Sequence, residues 1–260
     1  MDTEKYIKTK AKSIGQAIKE SAFNQGAIEL KGIDDPVTKL DKMAESVFRE
    51  DVAKKIDAGF LGEEFGIEGL DKKILFYIDP IDGTKSFINK EFESSFSVAM
   101  KENNEFTLGI VYDFMRDIMY VANKDSAYLE HGKKTFQLPL KTHEFSRPLV
   151  YVGRNILPAF ENYDKASIRP QQGSVALSMV RLTTSYAVLL MPPYDKKDLV
   201  NYCDIAAGVH IINKSGYKIY NLDKSEFLYK DLSRGLLAYR EGKENLVEDL
   251  LKHYTQNLKN

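Results

Sequence analysis

Near the start of the chain Ile7, Ala11, Ile14, Ile18 and Ala22 recur at alternating spacings of four and three, with lysines on the other faces. This stripe predicts an amphipathic helix. A polar break, Lys31-Gly32-Ile33-Asp34-Asp35-Pro36, follows, and Leu40, Met43, Ala44, Val47 and Phe48 then predict a second helix that reaches about Asp57 and pairs with the first. Ile74-Leu75-Phe76-Tyr77-Ile78 is a short continuous apolar run ending abruptly at Asp79-Pro80, which reads as a strand buried on both faces. The end of such a strand is a place for chemistry. Residues 96–100, 107–112, 118–122 and 127–129 form short β-rich pieces between polar turns, the pattern of an antiparallel meander. Beyond 150–153 helix and strand alternate: helical over 175–182, extended over 186–191, helical over 205–214, extended over 235–239 and helical over 246–254.

The architecture this predicts is α+β, a layered sandwich of two packed lobes. No Pro-, Gly- or Ser-rich linker and no internal repeat divides the chain, so residues 1–260 are expected to form one unit: an α+β lobe over 1–145 with an α/β lobe over 146–260. Composition agrees, because 260 residues at 43% hydrophobic content support a substantial core. With 37 basic and 38 acidic residues the formal net charge is -1, which speaks against bulk-charge binding to nucleic acid or a membrane surface. The single cysteine, Cys203, excludes a disulfide framework and a cysteine-based zinc site. The charged start Met1-Asp2-Thr3-Glu4-Lys5 is unlike a signal peptide, and no apolar stretch approaches the about 18 residues of a membrane span. A cytoplasmic, soluble protein is the expectation.

Candidate chemistry lies in carboxylates placed beside glycine, proline or a strand end. Asp79-Pro80-Ile81-Asp82-Gly83-Thr84 follows the buried strand; Pro80 fixes the chain there, so Asp79 and Asp82 leave a tight turn from nearly the same point. Their mutual repulsion is relieved by a hard divalent cation with oxygen ligands, and Mg²⁺ suits a few carboxylates plus water and phosphate oxygens. The N–H groups at Gly83 and Thr84 face the same space and form a natural seat for a phosphate. Gly62-Glu63-Glu64 ends a loop after the second helix, Thr38-Lys39-Leu40-Asp41 opens that helix, and Asp204-Ile205-Ala206-Ala207-Gly208 opens another with a face of small residues. Taken singly, these are commonly solvated loops, turn chemistry, an N-cap or an exposed helix residue. Their ordered combination in one chain raises them above that.

In these motifs the chain resembles the inositol monophosphatase family, within a lithium-sensitive, magnesium-dependent superfamily that also contains fructose-1,6-bisphosphatases and 3'-phosphoadenosine phosphatases. The likeness runs over about residues 37–216. It implies the family's layered αβαβα fold, a homodimer, a small phosphorylated metabolite as substrate and two to three Mg²⁺ ions. By position it makes Glu63, Asp79 and the Ile81 carbonyl ligands of one ion, and Asp79, Asp82 and Asp204 ligands of a second, with Glu63 assisting a weaker third. It gives Asp41 and Thr84 the activation of the attacking water, and the N–H groups of Gly83 and Thr84 the phosphate. Ser174, in Gly173-Ser174-Val175-Ala176, matches a turn near the substrate; a plain N-cap is the other reading. Lys85 follows Thr84 where inositol-specific members have asparagine one residue on from threonine, and Lys197 stands where a glutamate grips inositol hydroxyls. Both lysines imply a pocket suited to a second anionic group, although a single-residue gap would put Asp198 in the glutamate's place and leave Lys197 in a solvated turn. The resemblance leaves the substrate open among inositol phosphates, histidinol phosphate, fructose bisphosphate and adenosine bisphosphate. It also leaves open a member that binds a partner without turnover. The four histidines, His131, His143, His210 and His253, are too scattered for a metal triad.

Overall fold

The lysine-flanked stripe folds as α1 (Thr3–Ala22), which buries Ile7, Ala11, Ile14 and Ile18. The structure is a computed structural model and describes residues 2–22, 28–30, 36–140, 147–193, 202–227 and 232–257. A two-stranded antiparallel ribbon, β1 (Ile28–Leu30) with β2 (Pro36–Thr38), leads into α2 (Lys39–Ala53). Helix α2 is shorter than its periodicity predicts. Lys55 N–H bonds the Val52 carbonyl three residues back, tightening the last turn, and the chain enters β3 (Ala58–Gly62) at once. The expected loop before Glu63 is therefore a strand.

The first sheet continues through β4 (Gly66–Glu68), β5 (Ile74–Asp82), β6 (Ser95–Glu102), β7 (Glu105–Asp113), β8 (Ile118–Ala122), β9 (Ala127–His131) and β10 (Lys134–Gln137), with the short helix α3 (Thr84–Ile88) after β5. Its eight strands lie in the order β10-β9-β8-β7-β6-β5-β3-β4. All neighbours are antiparallel except β3 and β5, so the meander expected from the sequence is present. Strand β5 runs past Asp79 to Asp82, and its pairing with β6 is irregular between those two residues. Pro80 has no N–H to give to a ladder, so the strand bulges there instead of ending.

The second sheet is built from β11 (Leu149–Val152), β12 (Ser167–Pro170), β13 (Val188–Met191), β14 (Tyr217–Tyr220) and β15 (Leu236–Arg240), in the order β12-β11-β13-β15-β14. Strands β12, β11 and β13 are parallel. Helices α4 (Val175–Val180) and α5 (Tyr202–Lys214) lie between the sheets: Ala176, Leu177, Ala206, Ala207 and Ile211 pack on the first, while Met179, Ile205, Val209 and Ile212 pack on the second. α1 and α2 cover the other face of the first sheet, and α6 (Glu244–Asn257) with the 3₁₀ segment Arg154–Phe160 covers the outer face of the second. The order is thus αβαβα, as expected. Each fully buried Phe or Ile in these layers contributes about 1.5–3 kcal/mol by leaving water.

Period-two alternation along β5 positions the site. Phe76 and Ile78 join the core beneath α1 and α2, whereas Leu75 and Tyr77 join the core shared with α4 and α5. Asp79 continues the second set, toward the layer that carries Asp204.

Candidate active site

Three elements bring carboxylates together. Glu63 follows β3, Asp79 closes the regular part of β5 and Asp204 stands in the first turn of α5; carboxylate oxygens from all three lie within 4.8 Å of one another. Asp79 and Asp204 are buried and Glu63 is exposed, so the cluster opens to solvent on one side. Asp79 Oδ1 is enclosed without a hydrogen-bond donor. Burial, then the charges of Glu63, Asp82, Asp204 and Asp41, push the Asp79 carboxyl well above the usual carboxylate range. Asp41, buried in the first turn of α2, thus contributes to the same electrostatic field. An oxygen-only donor set with an unsatisfied buried carboxylate oxygen and excess negative charge fits a hard divalent cation.

Asp82 is brought to the site but held differently. Its carboxylate accepts from Ser174 Oγ at 2.6 Å and from the backbone N–H groups of Val175 at 3.0 Å and Ala176 at 2.6 Å. Burial pushes the Asp82 carboxyl up to about 6, these three donors offsetting only part of its effect. A carboxylate has about four lone-pair sites, so one remains for another partner. Ser174 is fully buried and caps α4, with its hydroxyl accepting from Leu177 N–H at 2.9 Å. The N-cap reading of Ser174 is thus what the fold displays, and the same hydroxyl ties the start of α4 to Asp82.

Gly83 turns the chain from β5 into α3 at φ 85°, and a Cβ there would stand 2.6 Å from both the Glu93 carbonyl oxygen and the Ser174 nitrogen. Only glycine fits. Thr84 Oγ1 donates to the Ile81 carbonyl at 2.9 Å, linking the residue expected at the water to an expected metal ligand.

Beside Gly83 opens a cleft of about 330 Å³, lined among others by Lys85, Arg154, Gln171, Gly173 and Pro192. Lys85 lines this cleft, whereas Lys197 lies outside the described residues. Arg154, Gln171 and Pro192 follow the carboxyl ends of the parallel strands β11, β12 and β13, the edge where open α/β sheets bind ligands. Arg154 Nε donates to the Gln171 carbonyl at 3.0 Å, and Gln171 Oε1 is buried without a donor. Sequence reasoning missed both residues; Gly153-Arg154-Asn155 immediately after an apolar strand was the available signal. Cys203, beside Asp204, is buried with its thiol donating to the Leu61 carbonyl at 3.2 Å, and burial pushes it up to about 12, the behaviour of a packing residue.

The layered sandwich is that of the inositol monophosphatase and fructose-1,6-bisphosphatase-like fold. The sequence profile of the inositol monophosphatase family matches residues 2–255, and the chain belongs to that family. It is 27% identical to a fructose-1,6-bisphosphatase/inositol-1-monophosphatase of Aquifex aeolicus over 87% of this chain and 88% of the relative. It is 36% identical to the Nus factor SuhB of Haemophilus influenzae over 116 residues, 43% of each chain. In structure it is similar to a Thermotoga maritima IMPase, with TM-score 0.81 at 21% identity over 100% of this chain and 99% of the other.

Proposed function

We propose that this chain is a Mg²⁺-dependent phosphomonoesterase that releases inorganic phosphate from a small phosphorylated metabolite. The observation that carries the reading is the convergence of Glu63, Asp79 and Asp204 beside the Gly83–Thr84 turn. Family membership supports the phosphatase class. Glu63, Asp79 and the Ile81 carbonyl would hold a first ion, Asp79, Asp204 and the remaining lone pair of Asp82 a second, and Glu63 would assist a weaker third. A bound divalent cation supplies Lewis acidity, acidifying water and neutralising charge on the leaving oxygen.

The residues of the chain supply the rest. The N–H groups of Gly83 and Thr84 hold the phosphoryl oxygens. Asp41 and Thr84 orient the attacking water and take its proton as oxygen attacks phosphorus, while the bond to the ester oxygen breaks and that oxygen is protonated as it leaves. Gln171 Oε1 offers an acceptor for a substrate hydroxyl. Lys85 and Arg154, with Lys197 by resemblance, favour substrates bearing a second anionic group, because both cations line the cleft beside Gly83. The family resemblance further supports a homodimer acting in the cytoplasm.

The test is phosphate release with Mg²⁺ across inositol-1-phosphate, histidinol phosphate, fructose-1,6-bisphosphate and adenosine-3',5'-bisphosphate. Turnover that chelation abolishes is expected, with kcat/KM higher on the bisphosphates. Silence across the panel would favour the second reading, a partner-binding member, which the SuhB-named relatives motivate.

A further inference from the structure

Helix α2 grips the loop that carries Glu63 through a buried ion pair to which the proposed reaction gives no part. Glu45 is fully enclosed. Its carboxylate accepts from Arg49 Nε at 2.8 Å and lies 2.6 Å from Arg49 Nη2. It also accepts from the backbone N–H groups of Glu64 at 2.9 Å and Phe65 at 3.4 Å. Arg49 Nη2 in turn donates to the Gly66 carbonyl at 2.6 Å. The turn from β3 to β4 is thus held at two donors and one acceptor by side chains one helical turn apart. The backbone passes so close that a Cβ on Gly62 would stand 1.8 Å from Glu45 Oε1. On its other side Glu63 N–H donates to the Ile78 carbonyl at 3.2 Å, one residue before Asp79. The peptide groups before and after Glu63 are therefore both held.

We infer that Glu45 and Arg49 are positioning residues: by clamping this turn they aim the Glu63 carboxylate at Asp79 and Asp204, and so set the affinity of the site for a divalent cation. The inference rests on the proposed cation site. A buried ion pair is a weak source of net stability, because removing two charges from water offsets most of their attraction. Apolar side chains of the same volume would join α2 to the sheet as well. What they lack is the capacity to hold two N–H groups and a carbonyl of a tight turn. The clamp fixes the backbone from which Glu63 projects, so less backbone conformational entropy is lost when a cation binds.

Mn²⁺ binding to the metal-free protein, followed by the electron paramagnetic resonance of free Mn²⁺, tests this without turnover. Glu45→Gln leaves one acceptor oxygen where the carboxylate has two, and Arg49→Lys loses the fork to Gly66. Mn²⁺ binding at least tenfold weaker is expected for Glu45→Gln and an intermediate loss for Arg49→Lys, with faster amide hydrogen exchange at residues 64–66. Val52→Ala weakens the same helix through its fully buried core face and is expected to bind Mn²⁺ as the parent does. A merely structural role would give all three variants similar metal affinity, and affinities for both clamp variants within twofold of the parent would overturn the inference. Should Glu45→Gln fail to fold, Arg49→Lys decides alone. A parent that takes up no Mn²⁺ would overturn the cation site itself, and the clamp with it.

Discussion

Asp79 and Asp82 leave the same bulged strand end and meet opposite conditions. Asp79 faces other carboxylates and has an oxygen with no donor, whereas Asp82 receives three donors from the start of α4. The first is poised for a cation; the second fastens strand to helix and keeps little capacity for anything else. Between them and the cleft stands Gly83. Gly83→Ala forces a side chain into left-handed backbone and against two main-chain atoms that have no flexible end to yield. A loss of about 1–3 kcal/mol is expected, read as a lower melting temperature. Phosphate release should fall at least tenfold, since the N–H groups of residues 83 and 84 move with the turn. Parental values on both measurements would show that the turn is not what holds the phosphate.

At the scale of the element, α5 combines two duties. Its first turn delivers Asp204, and its small residues let it lie between the sheets. Its later turns bury His210, whose Nε2 is enclosed without a hydrogen-bond partner. Burial, with help from nearby Lys214 and partly offset by the Asn123 backbone, lowers the His210 imidazole to about 4. An unfolded chain regains a histidine near 6.5, so between pH 6.5 and 4 the unfolded state binds more protons than the folded one. Stability is therefore complete above pH 6.5 and is lost as pH falls through about 4, by about 3 kcal/mol from this group. Urea unfolding at a series of pH values should show that slope in the parent and a flatter one in His210→Leu. An unchanged slope in the variant would place the acid sensitivity elsewhere.

At the scale of the molecule, the candidate site exists only where layers meet. Glu63 and Asp79 come from the first sheet, Asp204 from the helical layer between the sheets, and the cleft lining from the edge of the second sheet. A cation that joins the three carboxylates ties the first two layers together and is absent from the unfolded chain. At a hundred times its dissociation constant such a ligand adds about 2.7 kcal/mol. In a chain of this size that is a rise of about 5–10 °C in melting temperature. Calorimetry with Mg²⁺ and then with a chelator should show the rise and its reversal; a melting temperature indifferent to Mg²⁺ would mean that the carboxylates do not share a cation.

The amino-acid sequence alone determined the elements with strong periodicity and the identity of the acidic groups. The stripe of α1 and the apolar run of β5 state their own burial, and the Asp79-Pro80-Ile81-Asp82-Gly83-Thr84 segment states its own turn, because local geometry follows from proline and glycine. Other features were decided by tertiary structure. Strand β3 has only five residues and takes its character from lying parallel to β5. The bond from Ser174 to Asp82 exists only because α4 is packed against the end of β5. Arg154 and Gln171 enter the site because parallel strands far from β5 in sequence end beside it. Glu45 and Arg49 look like an ordinary helix-surface pair until β3 and its turn are laid over them, since burial and long-range hydrogen bonds are properties of packed layers, not of any segment taken by itself.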